Sequence, residues 1–460
     1  MQNPKIPSSR EIAINRDWTE GSITGNLWSL SWPMTVSSLL MNLGPTIDMI
    51  WVGRLGSSAI AGVGVSGMVI MVVNGLIMGL FTSLRAMLAR FVGAKDESAA
   101  NHITQQAFVI GIAFSLVMAV LGLFLAEPIL RIMGVEADVV VEGATYMRIQ
   151  FLGIMTLSLL TVTQTVMQAS GDAFNAMKIS IVFRLFHIAV SPFLIFGWWI
   201  FPRLGVSGSA LTSVFSQAIG GSIGLWFLFT GRTRMQLSLR NFHLDWNMIW
   251  RMVKIGIPAA FNSMERGLAN LALMWFIVPF GTIAVAGHSI MTRIETFLQM
   301  PAMGLGQAAG VLAGQNLGAN KPERAEKTGW LASFWFTGVM IIGSIVLWFW
   351  AENIVRIFNS EPNLVRTTSA FARIQIASYL GYGFSFVLSQ CLNGIGETMI
   401  PLVVALTTMW LLEVPLAYFL PRITNLGVYG VRWGIVAGIA MRGILSSLYF
   451  KWGRWKSKRV

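Results

Sequence analysis

Polar and apolar positions in this chain do not alternate. They segregate into long blocks free of Asp, Glu, Lys and Arg, at 21–47, 55–84, 103–126, 149–171, 204–231, 267–292, 328–351 and 374–396. A hydrocarbon layer is crossed by about 20 apolar residues. With the Gly and Pro breakers, hydropathy predicts twelve spans, near 26–52, 57–83, 103–126, 146–169, 178–201, 206–230, 254–278, 282–306, 328–350, 370–393, 398–420 and 428–450. Each must be a helix, because lipid offers no partner to an open backbone N–H or C=O. Continuous rather than alternating runs exclude a β-barrel.

The blocks are duplicated. Residues 33–172 return without a gap as 258–397, an offset of 225 that pairs Pro33 with Pro258, Gly56 with Gly281 and Ala61-Gly62 with Ala286-Gly287. It also pairs Met78-Gly79-Leu80 with Met303-Gly304-Leu305, Gly93-Ala94 with Gly318-Ala319, and Arg148-Ile149-Gln150 with Arg373-Ile374-Gln375. Parallel repeats in a membrane protein place two lobes around a central path. The expected fold is an all-α membrane protein of twelve transmembrane helices in two pseudo-symmetric six-helix lobes, 1–231 and 232–460.

Composition agrees. The chain is 55% hydrophobic and 12% charged, where a soluble protein carries about 25% charged residues. Its net charge of +13 suggests nucleic acid at first sight, but the basic residues sort by loop. Twenty lie on the side of both termini and the 231–253 linker. Six (Arg54, Arg131, Arg203, Arg356, Arg366 and Arg422) lie on the other. That is the positive-inside bias. It predicts an inner-membrane protein with cytoplasmic termini, a basic tail touching anionic lipid, and no nucleic-acid partner. The first twenty residues are polar, so no cleavable signal peptide is expected. The lone Cys391 excludes a disulfide framework.

Gly93 and Gly318 follow apolar runs and suit left-handed helix caps. The segment 230–250 is expected to lie along the membrane surface. Gly62-Val63-Gly64 and Gly304-Leu305-Gly306 fall inside spans, where close helix packing explains them better than a phosphate cradle. No catalytic or metal-ligand constellation is visible, so an enzyme is not expected and no cofactor is implied.

Seven arginines remain inside spans: Arg148, Arg184, Arg266, Arg293, Arg373, Arg432 and Arg442. Four acids join them: Asp48, Glu265, Glu295 and Glu413. Ionisable groups at this depth are costly and mark functional sites. Arg148 and Arg373 occur in both repeats and read as structural. The acids do not: Asp48 pairs with Leu273, Glu265 with Leu40 and Glu295 with Ile70. They are where the lobes became different, so all four are candidates to bind a coupling cation. Asp48 leads, just after Pro45, which removes a helical donor and forms a candidate hinge. Its alternative is a buried ion pair with an arginine. Glu265 and Glu295 are expected to pair with Arg293 and Arg266, across spans seven and eight.

Asn42, Gln164 and Gln168 are candidates to hydrogen-bond a substrate. The two glutamines stand one helical turn apart. Met41, Met264 and Trp275 are candidates to line a plastic cavity, with packing as the commoner role. His187, a lone intramembrane histidine that is more often a packing group, and Ser191 are further candidates to contact substrate.

The run Asp48-Met49-Ile50-Trp51-Val52-Gly53-Arg54-Leu55-Gly56 with Ala59-Ile60-Ala61-Gly62-Val63 resembles the multidrug and toxic compound extrusion (MATE) transporters. So do Arg293-Ile294-Glu295, Met300-Pro301 and Gly314-Gln315-Asn316-Leu317-Gly318-Ala319. The resemblance, to the NorM-like prokaryotic branch, covers about residues 26 to 450. It implies a V-shaped antiporter that exports small organic cations or amphipathic drugs in exchange for H+ or Na+. Asp48 matches the family's first-span aspartate, and Glu265 lies close to its seventh-span glutamate. In archaeal members span five carries Asn-x-x-x-Asp-Pro; here those positions hold His187, Ser191 and Pro192. With the second carboxylate missing, H+ is the simpler coupling ion, although Na+ near Asp48 through carbonyls and Ser191 stays open. The alternative function is a lipid-linked saccharide flippase. Each chain holds both lobes and is expected to work as a monomer.

Overall fold

The computed structural model describes residues 16–240 and 242–457. The basic positions Lys5, Arg10, Lys458 and Arg459, which entered the orientation argument, lie outside them. The described residues form helices and no strands.

The first half holds α1 (Ile23–Val52), α2 (Ser57–Gly93), α3 (Glu97–Ile132), α4 (Ala137–Leu152), α5 (Ile154–Ser170), α6 (Ala173–Phe196) and α7 (Val206–Phe229). The second holds α8 (Trp246–Ile277), α9 (Thr282–Gly318), α10 (Pro322–Phe358), α11 (Pro362–Gly394), α12 (Met399–Thr408), α13 (Val414–Ile423) and α14 (Val428–Trp452). Seven helices are long and apolar enough to cross a membrane. α4 and α5 together make an eighth span, bent by 45° at Gly153. The remaining four are α1, α8, α9 and α11, at 30, 32, 37 and 33 residues. They are long enough but more polar, and three of them carry Asp48, Glu265 and Glu295. Twelve spans result, as expected, with span four broken rather than continuous.

Span eleven is interrupted too. A π-helical turn at Met409–Glu413 joins α12 to α13. Pro415 follows it and has no N–H to donate to Leu411, so the ladder widens there.

The lobes meet along the duplication. A Cβ on Gly79 would fall on Ala260 of α8, and a Cβ on Gly304 would fall on Thr35 of α1. Adding 225 to residues 35 and 79 gives 260 and 304, so the two crossings are one contact made twice. Nearer the linker, a Cβ on Gly93 would strike the Gln315 carbonyl and one on Gly318 the Arg90 carbonyl, again a symmetric pair. These glycines do not adopt the expected left-handed caps. Lys95 (φ 60°) and Asn320 (φ 57°), also one repeat apart, take that conformation. Gly93 and Gly318 are small because two backbones touch there.

Further from the linker the helices separate. A Cβ on Gly64, Gly67 or Gly267 would meet nothing within 4 Å. Toward the linker the lobes are thus in backbone contact, while these three positions further out face open space. The closed face is stitched by chain crossings: Lys321 Nζ donates to the Thr19 carbonyl (3.1 Å), and Arg324 to those of Glu20 (2.9 Å) and Gly21 (2.8 Å). The linker is not free on a surface. Asn101, Gln105 and Gln106 of α3 donate to the carbonyls of Ser238 and His243 (2.6–2.9 Å), and Asp245 caps α8.

On the far face, Glu127 binds Arg131 (2.6 Å) and Arg148 (3.1 Å). Glu352 binds Arg356 (3.8 Å) and Arg373 (3.5 Å) in the equivalent positions. This agrees with a structural reading of the duplicated arginines.

Candidate functional site

In the first lobe α1, α6 and α7 bring four polar groups together. Asp48 is 4% exposed. His187 Nε2 stands 3.1 Å from its Oδ1. Ser213 Oγ, from α7, donates to Oδ2 at 3.2 Å and lies 3.3 Å from His187 Nε2. Arg184, one turn before His187, places Nη1 3.1 Å from His187 Nδ1.

This wiring fixes the imidazole. A guanidinium only donates, so Nδ1 must accept and the ring proton sits on Nε2, facing Asp48 and Ser213. The Asp48, His187 and Ser213 trio is not a hydrolase triad. Ser213 donates to the carboxylate instead of to the imidazole, and the nitrogen a catalytic aspartate would orient is occupied by Arg184.

Arg184 also ties the site to α1. Its Nη2 donates to the Met41 carbonyl at 3.2 Å. Residue 41 is four before Pro45, so this is the carbonyl that the missing proline N–H leaves unpaired. Gly44 makes room: a Cβ there would fall on the guanidinium. α1 nonetheless runs unbroken from Ile23 to Val52. The carbonyl freed by Pro45 is thus satisfied from outside its helix.

Other residues expected here fall elsewhere. Gln164 donates to Ser180 Oγ (2.9 Å) in an interhelical bond, and Gln168 is buried. Ser191 is fully buried with no hydrogen-bond partner for its Oγ. Asn42 points away from Asp48 and reaches Met303 of the other lobe, with 4.0 Å from Nδ2 to Sδ. Met41 packs against the first-lobe core and serves through its carbonyl. Met264 flanks Gly75 across the lobe boundary. Trp275 is 72% exposed beside Phe276 near the far end of α8.

The second lobe holds the other three candidate acids, and the expected pairing across α8 and α9 does not form. Glu265 faces Arg442 (3.5 Å), which also donates to Thr408 Oγ1 (3.1 Å) and the Ala405 carbonyl (3.3 Å). Glu295 faces Arg432 (3.3 Å), which reaches Gln375 (3.4 Å) and lies over Phe371. Both arginines belong to α14, the last helix, remote in sequence from their partners. Glu413, 6% exposed, is turned inward by the π turn against Gly438.

Sequence reasoning missed Ser213, and it saw Arg184 without a role. Serines recur in α7, but nothing local separates Ser213 from Ser209 or Ser216, which are buried as well.

A MatE family model matches the chain twice, at residues 33–193 and 258–419, once in each repeat. This chain belongs to the MatE family. The MatE chain is 26% identical to "Probable multidrug resistance protein YoeA" of Bacillus subtilis (strain 168), covering 99% of each chain. It is 24% identical to "Probable multidrug resistance protein NorM" of Thermotoga maritima over 95% of this chain and 94% of that one. Its fold matches a solved MATE structure in the bent conformation with a TM-score of 0.89 at 22% identity, covering 94% and 96% of the two chains. This MatE protein is a multi-pass membrane transporter and not an enzyme.

Proposed function

We propose that this MatE protein is a secondary antiporter, exporting amphipathic drug-like compounds by alternating access in exchange for H+ entering at Asp48. One observation carries the reading. Asp48 is a carboxylate buried inside a membrane-spanning lobe, and its contacts lead through His187 and Arg184 to the proline break of its own helix.

In the charged state Asp48 attracts the imidazole 3.1 Å away and is linked to it by hydrogen bonds through Ser213, His187 Nδ1 holds Arg184, and Arg184 satisfies the Met41 carbonyl. A proton on Asp48 removes the charge that organises this chain of contacts. Arg184 then loosens, the Met41 carbonyl loses its donor, and α1 is free to bend at Pro45. The ion thus has different affinity for the two states, as any ligand-driven switch requires. The His187 imidazole stands beside the carboxylate, where Na+ would need oxygen ligands, which favours H+. Glu265, Glu295 and Glu413 form the second lobe's acidic set. Arginines hold the first two, and Glu413 is the candidate for ion exchange there.

The basic face, with both termini and the linker, is cytoplasmic in this reading, and the protein lies in the inner membrane. The space between the lobes away from the linker would then open outward. The basic tail meets anionic lipid, and each chain works alone. The resemblance adds organic cations as cargo, a charge preference that the second-lobe arginines oppose. Those arginines also keep a lipid-linked saccharide flippase as the second reading.

Proteoliposomes given a pH gradient or a Na+ gradient, one at a time, test the proposal. Drug movement driven by the pH gradient and lost in Asp48→Asn is expected. Undiminished coupled transport by Asp48→Asn would remove its basis.

A further inference from the structure

The four intramembrane acids are buried or paired in this state, while two intramembrane arginines are neither. Asp48, Glu265 and Glu413 are 4%, 3% and 6% exposed, and Glu295 is held by Arg432. Arg266 and Arg293 are exposed. Arg266 lies over the ring of Phe386 at 5.6 Å and near the Tyr382 hydroxyl, with no hydrogen bond or ion pair among the described residues. Arg293 has no hydrogen bond, ion pair or ring contact among the described residues.

Both sit at the same depth. Arg266 is eleven residues before the end of α8 at Ile277, and Arg293 is eleven after the start of α9 at Thr282. That is about 16 Å of helix from the far face, near the middle of a hydrocarbon layer about 30 Å thick. An arginine turned to lipid at this level is strongly disfavoured, so both must face protein or the water-filled cleft.

Helical spacing shows which for Arg293. Arg293 precedes Gly304 by eleven residues, about 20° from three whole turns. Gly304 abuts Thr35 of the first lobe, so Arg293 looks across the cleft at that lobe. Phe297, 64% exposed, shares the same face. On α2 of that lobe, Met68 and Val72, 63% and 45% exposed, precede Gly79 by eleven and seven residues and share its face; Gly79 abuts Ala260, so this apolar face looks at α8, the helix of Arg266.

We propose that the cleft binds an amphipathic organic anion, with a carboxylate, sulfonate or phosphate held by Arg266 and Arg293 and an apolar body against Met68, Val72 and Phe297. An organic cation would find no uncommitted acid on these walls. The guanidinium fork suits planar or tetrahedral oxyanions bidentately. This refines the exporter reading and rests on it.

The test uses full-length protein in proteoliposomes under an imposed pH gradient, with three radiolabelled probes. Taurocholate is the free anion, farnesyl phosphate the lipid-like anion and tetraphenylphosphonium the cation. Transport of an anionic probe in preference to tetraphenylphosphonium is expected. Arg266→Gln and Arg293→Gln should each raise its KM roughly tenfold, with Arg293→Lys in between. Preference for taurocholate or for farnesyl phosphate assigns the anion to a soluble compound or a lipid headgroup. Tetraphenylphosphonium transport with an unchanged KM in both arginine variants overturns the anion site and leaves the exporter standing. If no probe moves under a pH or a Na+ gradient, the exporter reading fails and this inference with it.

Discussion

Arg184 donates to the carbonyl of Met41, the acceptor that Pro45 leaves vacant in α1. A side chain of one helix thereby completes the backbone of another, and the same guanidinium caps the histidine that touches Asp48. The acid and the hinge share a single intermediary.

Gly44→Ala should break that link without touching Asp48. The added methyl would lie 2.8 Å from Arg184 Cζ, displacing the guanidinium from Met41. Loss of a charged hydrogen bond costs about 1.5–3 kcal/mol. Thermal unfolding in detergent should show it, and pH-driven efflux should fall while drug binding persists.

Replacement of His187 should separate wiring from charge. His187→Ala removes the imidazole beside Asp48, the partner of Ser213 and the acceptor for Arg184, and coupled efflux should drop at least tenfold. His187→Gln can supply both a donor and an acceptor, so it should retain more activity. Equal activity in the two variants, measured as drug efflux against ΔpH, would show that His187 only fills space.

The π turn should prove necessary for the placement of Glu413. Pro415→Ala restores an N–H and lets span eleven close into an ordinary α-helix, turning Glu413 away from Gly438. Gly438→Ala presses on the same side chain, since its methyl would lie 2.6 Å from Glu413 Cβ. Overpacking of this kind costs about 1–3 kcal/mol. Both variants should lose transport, but only Gly438→Ala should lower the Tm appreciably.

Cross-linking Asn42→Cys to Met303→Cys should trap the state seen here. The two side chains meet across the lobes at 4.0 Å, and the native Cys391 is fully buried and will not compete. Oxidation should stop transport and dithiothreitol should restore it. Unimpeded transport by the oxidised pair would mean that the lobes need not separate there.

Small residues at the lobe crossing should matter equally in both repeats. Gly79→Val and Gly304→Val each drive a branched side chain into the facing helix. Circular dichroism melts should show matching losses, because the two contacts are related by the duplication.

Much of this protein was legible as sequence. Lipid leaves the backbone no choice but helix, so hydropathy alone placed twelve spans. A shared offset of 225 announced two lobes, and Glu127, Arg131 and Arg148 reappear as Glu352, Arg356 and Arg373 in matching geometry. The candidate acids were visible for the same reason, since a carboxylate in an apolar run is conspicuous whatever surrounds it. Their partners were not. Arg432 and Arg442 stand 137 and 177 residues from Glu295 and Glu265, and no local pattern links them. Ser213 joins Asp48 from 165 residues away. Gly93 and Gly318 looked like helix caps because local chemistry permits that role, whereas the approach of another backbone decided otherwise.

The sequence by itself determined that this chain is a duplicated bundle of helices in a membrane, with acids in its spans, because those properties follow from solvent and covalent order. Only the tertiary structure decided which arginine neutralises which acid, and which carbonyl Arg184 satisfies. Those depend on helices remote along the chain meeting at a few ångströms, over which the attraction between charges rises steeply.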